Sequence, residues 1–204
     1  MITLGIMKSL YELKDADEVK QMLDADFTLE RYGLFVRFVN EDDAEFIVQL
    51  RTNPKLGRYI HFTSSDVEVQ KEWIKKYKVR ESKQEDFYFI FEKPRGTRLG
   101  VYRIYNINDV SFTIGSWVFS PQAPIGTPFL ADIIGREIGF ELFPDKELLL
   151  DVRCENVRVN RYHQSYDPVL LFQDDDSYYY SCSKENFNKF KNDYIQMFYE
   201  KNDK

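Results

Sequence analysis

The segment Val110–Phe143, VSFTIGSWVFSPQAPIGTPFLADIIGREIGFELF, constrains the chain more than any other. Its first ten residues are rich in β-branched and aromatic side chains and read as a strand. A loop follows with three prolines and one glycine. Thr127 reads as an N-cap and Pro128 as the first residue of an amphipathic helix. A strand that delivers a loop onto a helix N-terminus brings backbone N–H groups and the positive end of the helix dipole to one point. The expectation is an anion site there.

The chain has 204 residues, enough for one domain with an appendage and a sizeable core. With 17 Phe and 14 Tyr, that core is expected to be aromatic. A net charge of −6 argues against nucleic acid as the main partner, because phosphate binding needs a strong basic field. No run reaches about 18 apolar residues, so no segment is expected to span a membrane. The N-terminal apolar run is too soon broken by charge for a signal peptide, and a cytoplasmic protein is expected. Cys154 and Cys182 form no Cys-x-x-Cys or Cys/His spacing, and no metal site is expected. The consecutive Asp174, Asp175 and Asp176 point in different directions and read as a solvated turn rather than a calcium loop.

Lys8–Asp24 has the apolar spacing of a surface-packed helix. Leu34–Val39 reads as a strand, and a helix capped by Asn40 follows until Asn53-Pro54 stops it. A second helix starts after Ser64-Ser65-Asp66 and is expected to bury Val67, Val69, Trp73, Ile74 and Tyr77. Asp86–Lys93 and Thr97–Asn106 read as a hairpin closed at Pro94-Arg95-Gly96. The organising strand and helix come next, then a strand Glu147–Arg153 and a short helix after Glu155-Asn156. Two strands around the triple aspartate and a C-terminal capping helix complete the order. Consecutive strands in the middle pair by short connections, so a mixed α/β sheet is expected and a doubly wound one is not.

This order and its residues resemble the GNAT superfamily of acyl-CoA-dependent N-acetyltransferases over roughly Leu34–Cys182. The resemblance implies an α/β (α+β) domain over 34–204, with a mostly antiparallel sheet whose middle strands splay, after a helical extension at 1–33. Leu50-Arg51-Thr52-Asn53-Pro54, Ser64-Ser65-Asp66 and Lys71-Glu72-Trp73-Ile74 look like the branch that acetylates nucleotide-linked amino sugars. Gln70 stands near the place where that branch tends to have histidine. Thr113-Ile114-Gly115-Ser116-Trp117 resembles the family's Glu-x-Gly-Tyr-x strand, and Thr113 replaces a carboxylate that often relays a proton. In the family's phosphate loop, Pro121, Pro124 and Gly126 fall on the three marked positions, with Gln122 displaced by one. Only Gly126 matches, and Pro124 removes an N–H donor. Asn156 matches the start of a later helix motif. His163, beside Tyr162, falls where many members carry the tyrosine that protonates the leaving thiolate.

The resemblance implies acetyl-CoA as cosubstrate and a primary amine of a small molecule as acceptor, with a nucleotide-linked amino sugar as first guess. It implies coenzyme contacts from Trp117, Val118, Phe119 and Gln122, from Ile125, Gly126 and Thr127, and from Asn156. Acceptor contacts fall to Arg51, His61 and Thr113. Acetyl transfer needs an aligned neutral amine, an N–H for the developing oxyanion, and routes for two protons. Tyr162 and His163 are the candidate proton carriers, since an imidazole ordinarily titrates near neutrality. Arg136 and Arg161 could pair with coenzyme phosphate, though each reads first as a solvated helix residue. Two alternatives stay open: a binding or assembly module that keeps the fold without the chemistry, because Thr113, Pro124 and His163 depart together, and a protein or peptide N-acetyltransferase. A homodimer is compatible with either reading.

Overall fold

The computed structural model describes residues 27–200 except Arg95. The expected helix at Lys8–Asp24 lies outside the described residues, as does most of the 1–33 extension.

One eight-stranded sheet organises the chain, in the order β1-β2-β3-β4-β5-β6-β8-β7. Strands β1 (Thr28–Arg31) and β2 (Leu34–Phe38) form a hairpin. Tyr32 and Gly33 supply the two positive-φ positions, 51° and 71°, of its two-residue turn, which matches the twist of the flanking strands. The sheet therefore begins six residues before the Leu34 start expected for the domain. A 3₁₀ turn (Glu41–Asp43) with an Asn40–Asp43 capping box leads into α1 (Ala44–Thr52). Helix α2 (Val67–Ser82) starts at Asp66, whose carboxylate accepts from the Glu68 N–H. Its buried stripe is Gln70, Ile74, Tyr77 and Glu81. Val69 is exposed, contrary to expectation, because the stripe lies one residue further along.

Strands β3 (Phe87–Lys93), β4 (Thr97–Tyr105) and β5 (Ser111–Phe119) are antiparallel neighbours. The first five residues of β3 are all buried, because both faces of this central strand are covered. Phe87, Phe89 and Phe91 belong to one core, Tyr88 and Ile90 to another beneath α1 and α2. Helix α3 (Thr127–Leu142) packs on β4 and β5. Then come β6 (Glu147–Arg153), α4 (Val157–Gln164), β7 (Val169–Gln173), β8 (Ser177–Cys182) and α5 (Lys184–Ile195), with a terminal π-helical turn at Gln196–Glu200. Asp174 closes the β7–β8 turn by accepting from the N–H groups of Asp176 and Ser177.

Helix α3 is not the amphipathic surface helix its charges suggest. Thirteen of its residues are buried, including Asp132, Arg136 and Glu137. Each charge is paired: Arg136 Nε with Asp132 at 2.7 Å, and Glu137 with Arg31 at 2.7 Å and Lys191 at 2.8 Å. Arg136 is fully buried, and so is neither the solvated residue expected nor a phosphate ligand. The helix lies close to the sheet because Gly135 and Gly139 face it. A Cβ on Gly135 would sit 2.2 Å from the Tyr102 ring. Gly135→Ala is therefore expected to destabilise the fold by about 1–3 kcal/mol through overpacking. On an open helix face the same change gains about 0.5–1 kcal/mol. Denaturant unfolding of the variant decides the sign.

Candidate active site

Strands β5 and β6 pair in parallel only at Ser111–Glu147, Phe112–Leu148 and Thr113–Leu149. Beyond these pairs they part, which leaves one edge of β5 from Ile114 onward without a strand partner. A β-bulge opposite Val101–Arg103 accompanies the parting, and Ser116 within it has φ 49°. Bulges re-aim side chains in this way. The opening is a cavity of about 930 Å³ lined from both sides of the sheet. The splay expected from the resemblance is present. Thr113 lies before it, in register with Leu149 and Tyr105, and does not line the cavity. The expected acceptor residue thus stands outside the cavity wall.

The loop before α3 sits at the end of the splayed edge. Gly126, not Thr127, is the N-cap, with φ 89°, a conformation suited to glycine. The Thr127 N–H is taken by Pro124 O at 3.1 Å, and the Gln122 N–H by Ser120 Oγ at 3.2 Å. Both amides are thus already hydrogen-bonded within the loop, and the Thr127 side chain is buried. Pro124 and Pro128 have no N–H. Ile125 and Gly126 are left as adjacent amides with no acceptor among the described residues. Two such N–H groups at a helix start fit one phosphate group. The C-terminal turn packs against this loop: Phe198 lies over Gly126 and stacks on Phe129 at 5.0 Å and 5°.

Trp117 holds strand to helix, its Nε1–H donating to Pro128 O at 2.9 Å. Its ring meets those of Tyr162 and His163 at 5.3 and 5.7 Å. Val118 and Phe119 are buried along the cavity wall beside it, and Asn156 lines the opposite side at the start of α4.

The floor is a polar cluster around Asp132. Its carboxylate accepts from Tyr102 OH at 3.1 Å, Tyr162 OH at 2.7 Å and Arg136 Nε at 2.7 Å. Arg136 Nη2 lies 2.7 Å from His163 Nδ1. Since a guanidinium only donates, Nδ1 accepts and Nε2 carries the hydrogen. Burial and the Arg136 charge push the His163 pKa down to about 3. His163 is thus a neutral donor at neutral pH, not the titrating acid or base expected. Burial and Asp132 raise the Tyr162 pKa well above its ordinary range, so it too keeps its proton.

On the other face of the sheet, Arg51 at the end of α1 is the central cation. It donates from Nε to Thr63 Oγ1 at 2.6 Å, from Nη1 to Ser116 Oγ at 3.3 Å and from Nη2 to His61 O at 3.2 Å. His61 serves through its carbonyl, and its side chain is exposed. The loop carrying it is tied to β6 and α4 by Tyr59 OH to Glu155 O at 3.2 Å and by an exposed Arg58–Glu155 pair. Arg161 is exposed, as expected.

Sequence reasoning passed over Asp151, Tyr88 and Tyr105, which line the same cavity. The signal for Asp151 was available: in ELLLDVR, Leu148, Leu150 and Val152 alternate into the core, which sends Asp151 to the opposite face.

Residues 34–166 match the family model of the acetyltransferase (GNAT) domain. No protein of curated function matches the sequence. Among solved structures, apo FdhC, described as a nucleotide-linked sugar GNAT, is 30% identical with a TM-score of 0.75, covering 85% of this chain and 99% of its own. The Mycobacterium smegmatis RimJ complex with CoA-disulfide is 17% identical, with a TM-score of 0.64 and coverage of 80% and 88%. Spermidine N-acetyltransferase from Vibrio cholerae, in complex with CoA and spermine, is 16% identical with a TM-score of 0.61, covering 78% and 99%. The last two share the fold. The chain belongs to the GNAT acetyltransferase family.

The sign of the His163 shift gives a test. An unfolded imidazole binds a proton below about pH 6.5, whereas the folded one stays neutral down to about pH 3. The resulting stability is complete above pH 6.5 and is lost as pH falls toward 3. Between pH 7 and 5 the wild type is expected to lose about 2 kcal/mol more than His163→Gln. Denaturant melts at the two pH values measure the difference, and equal losses would remove the assignment.

Proposed function

We propose that this chain transfers an acetyl group from acetyl-CoA to the primary amine of a small anionic acceptor, a nucleotide-linked amino sugar. The charge of the cavity carries the reading. Arg51 has only neutral partners, and Lys55 and Arg158 on the cavity wall have no carboxylate among the described residues. Arg103 and Arg153 are neutralised by Asp86 and Asp176. Among the described residues, three uncompensated cations face one unpaired carboxylate on the cavity wall, Asp151. A polyamine would need the opposite balance, and a diphosphate suits this one. The 30% identity to a nucleotide-linked sugar GNAT supports the same acceptor class.

Acetyl-CoA, when bound, supplies an activated thioester. Ile125 and Gly126 N–H groups would hold a phosphate, and the free edge of β5 would pair with an extended arm. This chain's residues then have three tasks. The β5 backbone orients the acyl group at the splay, the cations hold the acceptor's phosphates, and Asp151 takes the proton from the amine as the new C–N bond replaces the C–S bond. The departing coenzyme thiolate would be protonated by solvent. Tyr162 and His163 face the floor as fixed donors, positioned by Asp132 and Arg136 rather than titrating themselves.

Phe198 packed over Gly126 is the observation that favours the alternative, a binding module without chemistry. A thiol-release assay with acetyl-CoA separates the readings. Turnover is expected with nucleotide-linked amino sugars, at a higher kcat/KM than with spermidine. Asp151→Asn is expected to lower kcat about 100-fold or more with KM for acetyl-CoA unchanged. Preference for spermidine would overturn the acceptor class, and no thiol release would favour the module.

A further inference from the structure

One polar group in the cavity has no evident task in folding. Tyr88, on the central strand β3, is 2% exposed and lines the cavity, yet its hydroxyl has no hydrogen-bond partner among the described residues. The ring is fixed from several sides. Trp73 and Tyr77 meet it edge-on at 5.8 and 6.0 Å, interplanar angles 84° and 87°. The Tyr88 N–H donates to Tyr77 OH at 2.7 Å. Preorganised hydroxyls of this kind are unusual, because a buried polar atom without a partner opposes folding. A phenylalanine would pack there without that penalty.

A second group stands with it. Gln70, on the buried stripe of α2, is 8% exposed and lines the same cavity. Its side-chain amide makes no hydrogen bond among the described residues. Arg51 stands near the phenol but makes its hydrogen bonds to Thr63 Oγ1, Ser116 Oγ and the His61 carbonyl, and its two remaining N–H groups are open to a ligand. Arg103 is committed to Asp86 and lies over Trp73 and Tyr105. Burial raises the Tyr88 pKa, opposed by the charges of Arg51 and Arg103 and by the approach of the Arg51 guanidinium, which stays outside hydrogen-bond geometry, so the hydroxyl remains protonated at neutral pH.

We infer that the Tyr88 hydroxyl and the Gln70 amide form a specificity subsite for a neutral, hydroxyl-bearing ring, the sugar of the acceptor. The inference rests on the acetyltransferase reading above and assigns the part of the acceptor that the cations do not. A phenol and a primary amide each donate and accept without charge, which matches sugar hydroxyls. Phosphates are served by Arg51, Lys55 and Arg158. A site built to hydrogen-bond a hydroxyl also rejects ligands that lack it, because its own groups are then left buried and unpaired.

Tyr88→Phe tests the subsite through three readouts. Without ligand, the melting temperature of the variant is expected to equal or exceed that of the wild type. KM for a nucleotide-linked amino sugar is expected to rise about tenfold, with KM for acetyl-CoA unchanged. An aminoalkyl nucleoside diphosphate, which has the phosphates and the amine but no amino-sugar ring, is expected to show the same KM with both proteins. A fall in melting temperature would make the hydroxyl structural and overturn the inference. So would an unchanged KM for the amino sugar with turnover intact, which would leave the acetyltransferase reading standing. Absence of thiol release with every acceptor in the wild type would instead remove that reading, and the subsite with it.

Discussion

The carboxylate of Asp132 ties together the elements that frame the cavity. It receives Tyr102 from β4, Tyr162 from α4 and Arg136 from its own helix, and Arg136 reaches on to His163. Each partner comes from a different element, so the cluster sets the distance between sheet, central helix and α4 on the floor of the splay. All of these groups are buried. Removing one member of such a buried pair typically costs about 3–5 kcal/mol, because the remaining charge is stranded. The aromatic layer above it, from Trp117 through Phe129 to Phe198, continues the same packing to the loop before α3.

The two faces of the sheet divide the chemistry. On the α3 side lie the amides of Ile125 and Gly126 and the neutral donors of the floor. On the side of α1 and α2 lie Arg51, Tyr88 and Gln70. The gap between β5 and β6 connects them, which is what a reaction between a coenzyme and an acceptor needs: two ligands reaching one point from opposite sides. On the α3 side, the groups open to a ligand are largely backbone ones. That explains how the loop keeps two usable amides although it matches the family pattern only at Gly126.

The strand–loop–helix at Val110–Phe143 was legible because glycine and prolines mark its boundaries, and the pairing of β3, β4 and β5 because their connections are short. The N-cap was misplaced by one residue, since a left-handed glycine can close the loop where a threonine seemed the better cap. Strand β1 was missed: Thr28–Arg31 is short and half charged, and its pairing with β2 is decided by the Tyr32-Gly33 turn. The i,i+4 spacing of Asp132 and Arg136 reads equally well as a solvated surface pair, and the burial of Glu137 was illegible because its partners, Arg31 and Lys191, come from distant segments. The same holds for His163, whose spacing from Asn156 is in the sequence but whose neighbour Arg136 is not. Asp151 could have been found by alternation. Tyr88 could not, because FYFIF is buried on both faces and nothing in it distinguishes a hydroxyl left without a partner.

The central claim is that the splay and its adjoining loop bind an acyl coenzyme A. Calorimetric titration of acetyl-CoA into the full chain tests it most directly. Saturable one-to-one binding with a dissociation constant below about 1 mM, the upper end of ordinary enzyme–substrate KM values, is expected. No heat of binding at millimolar coenzyme would contradict it.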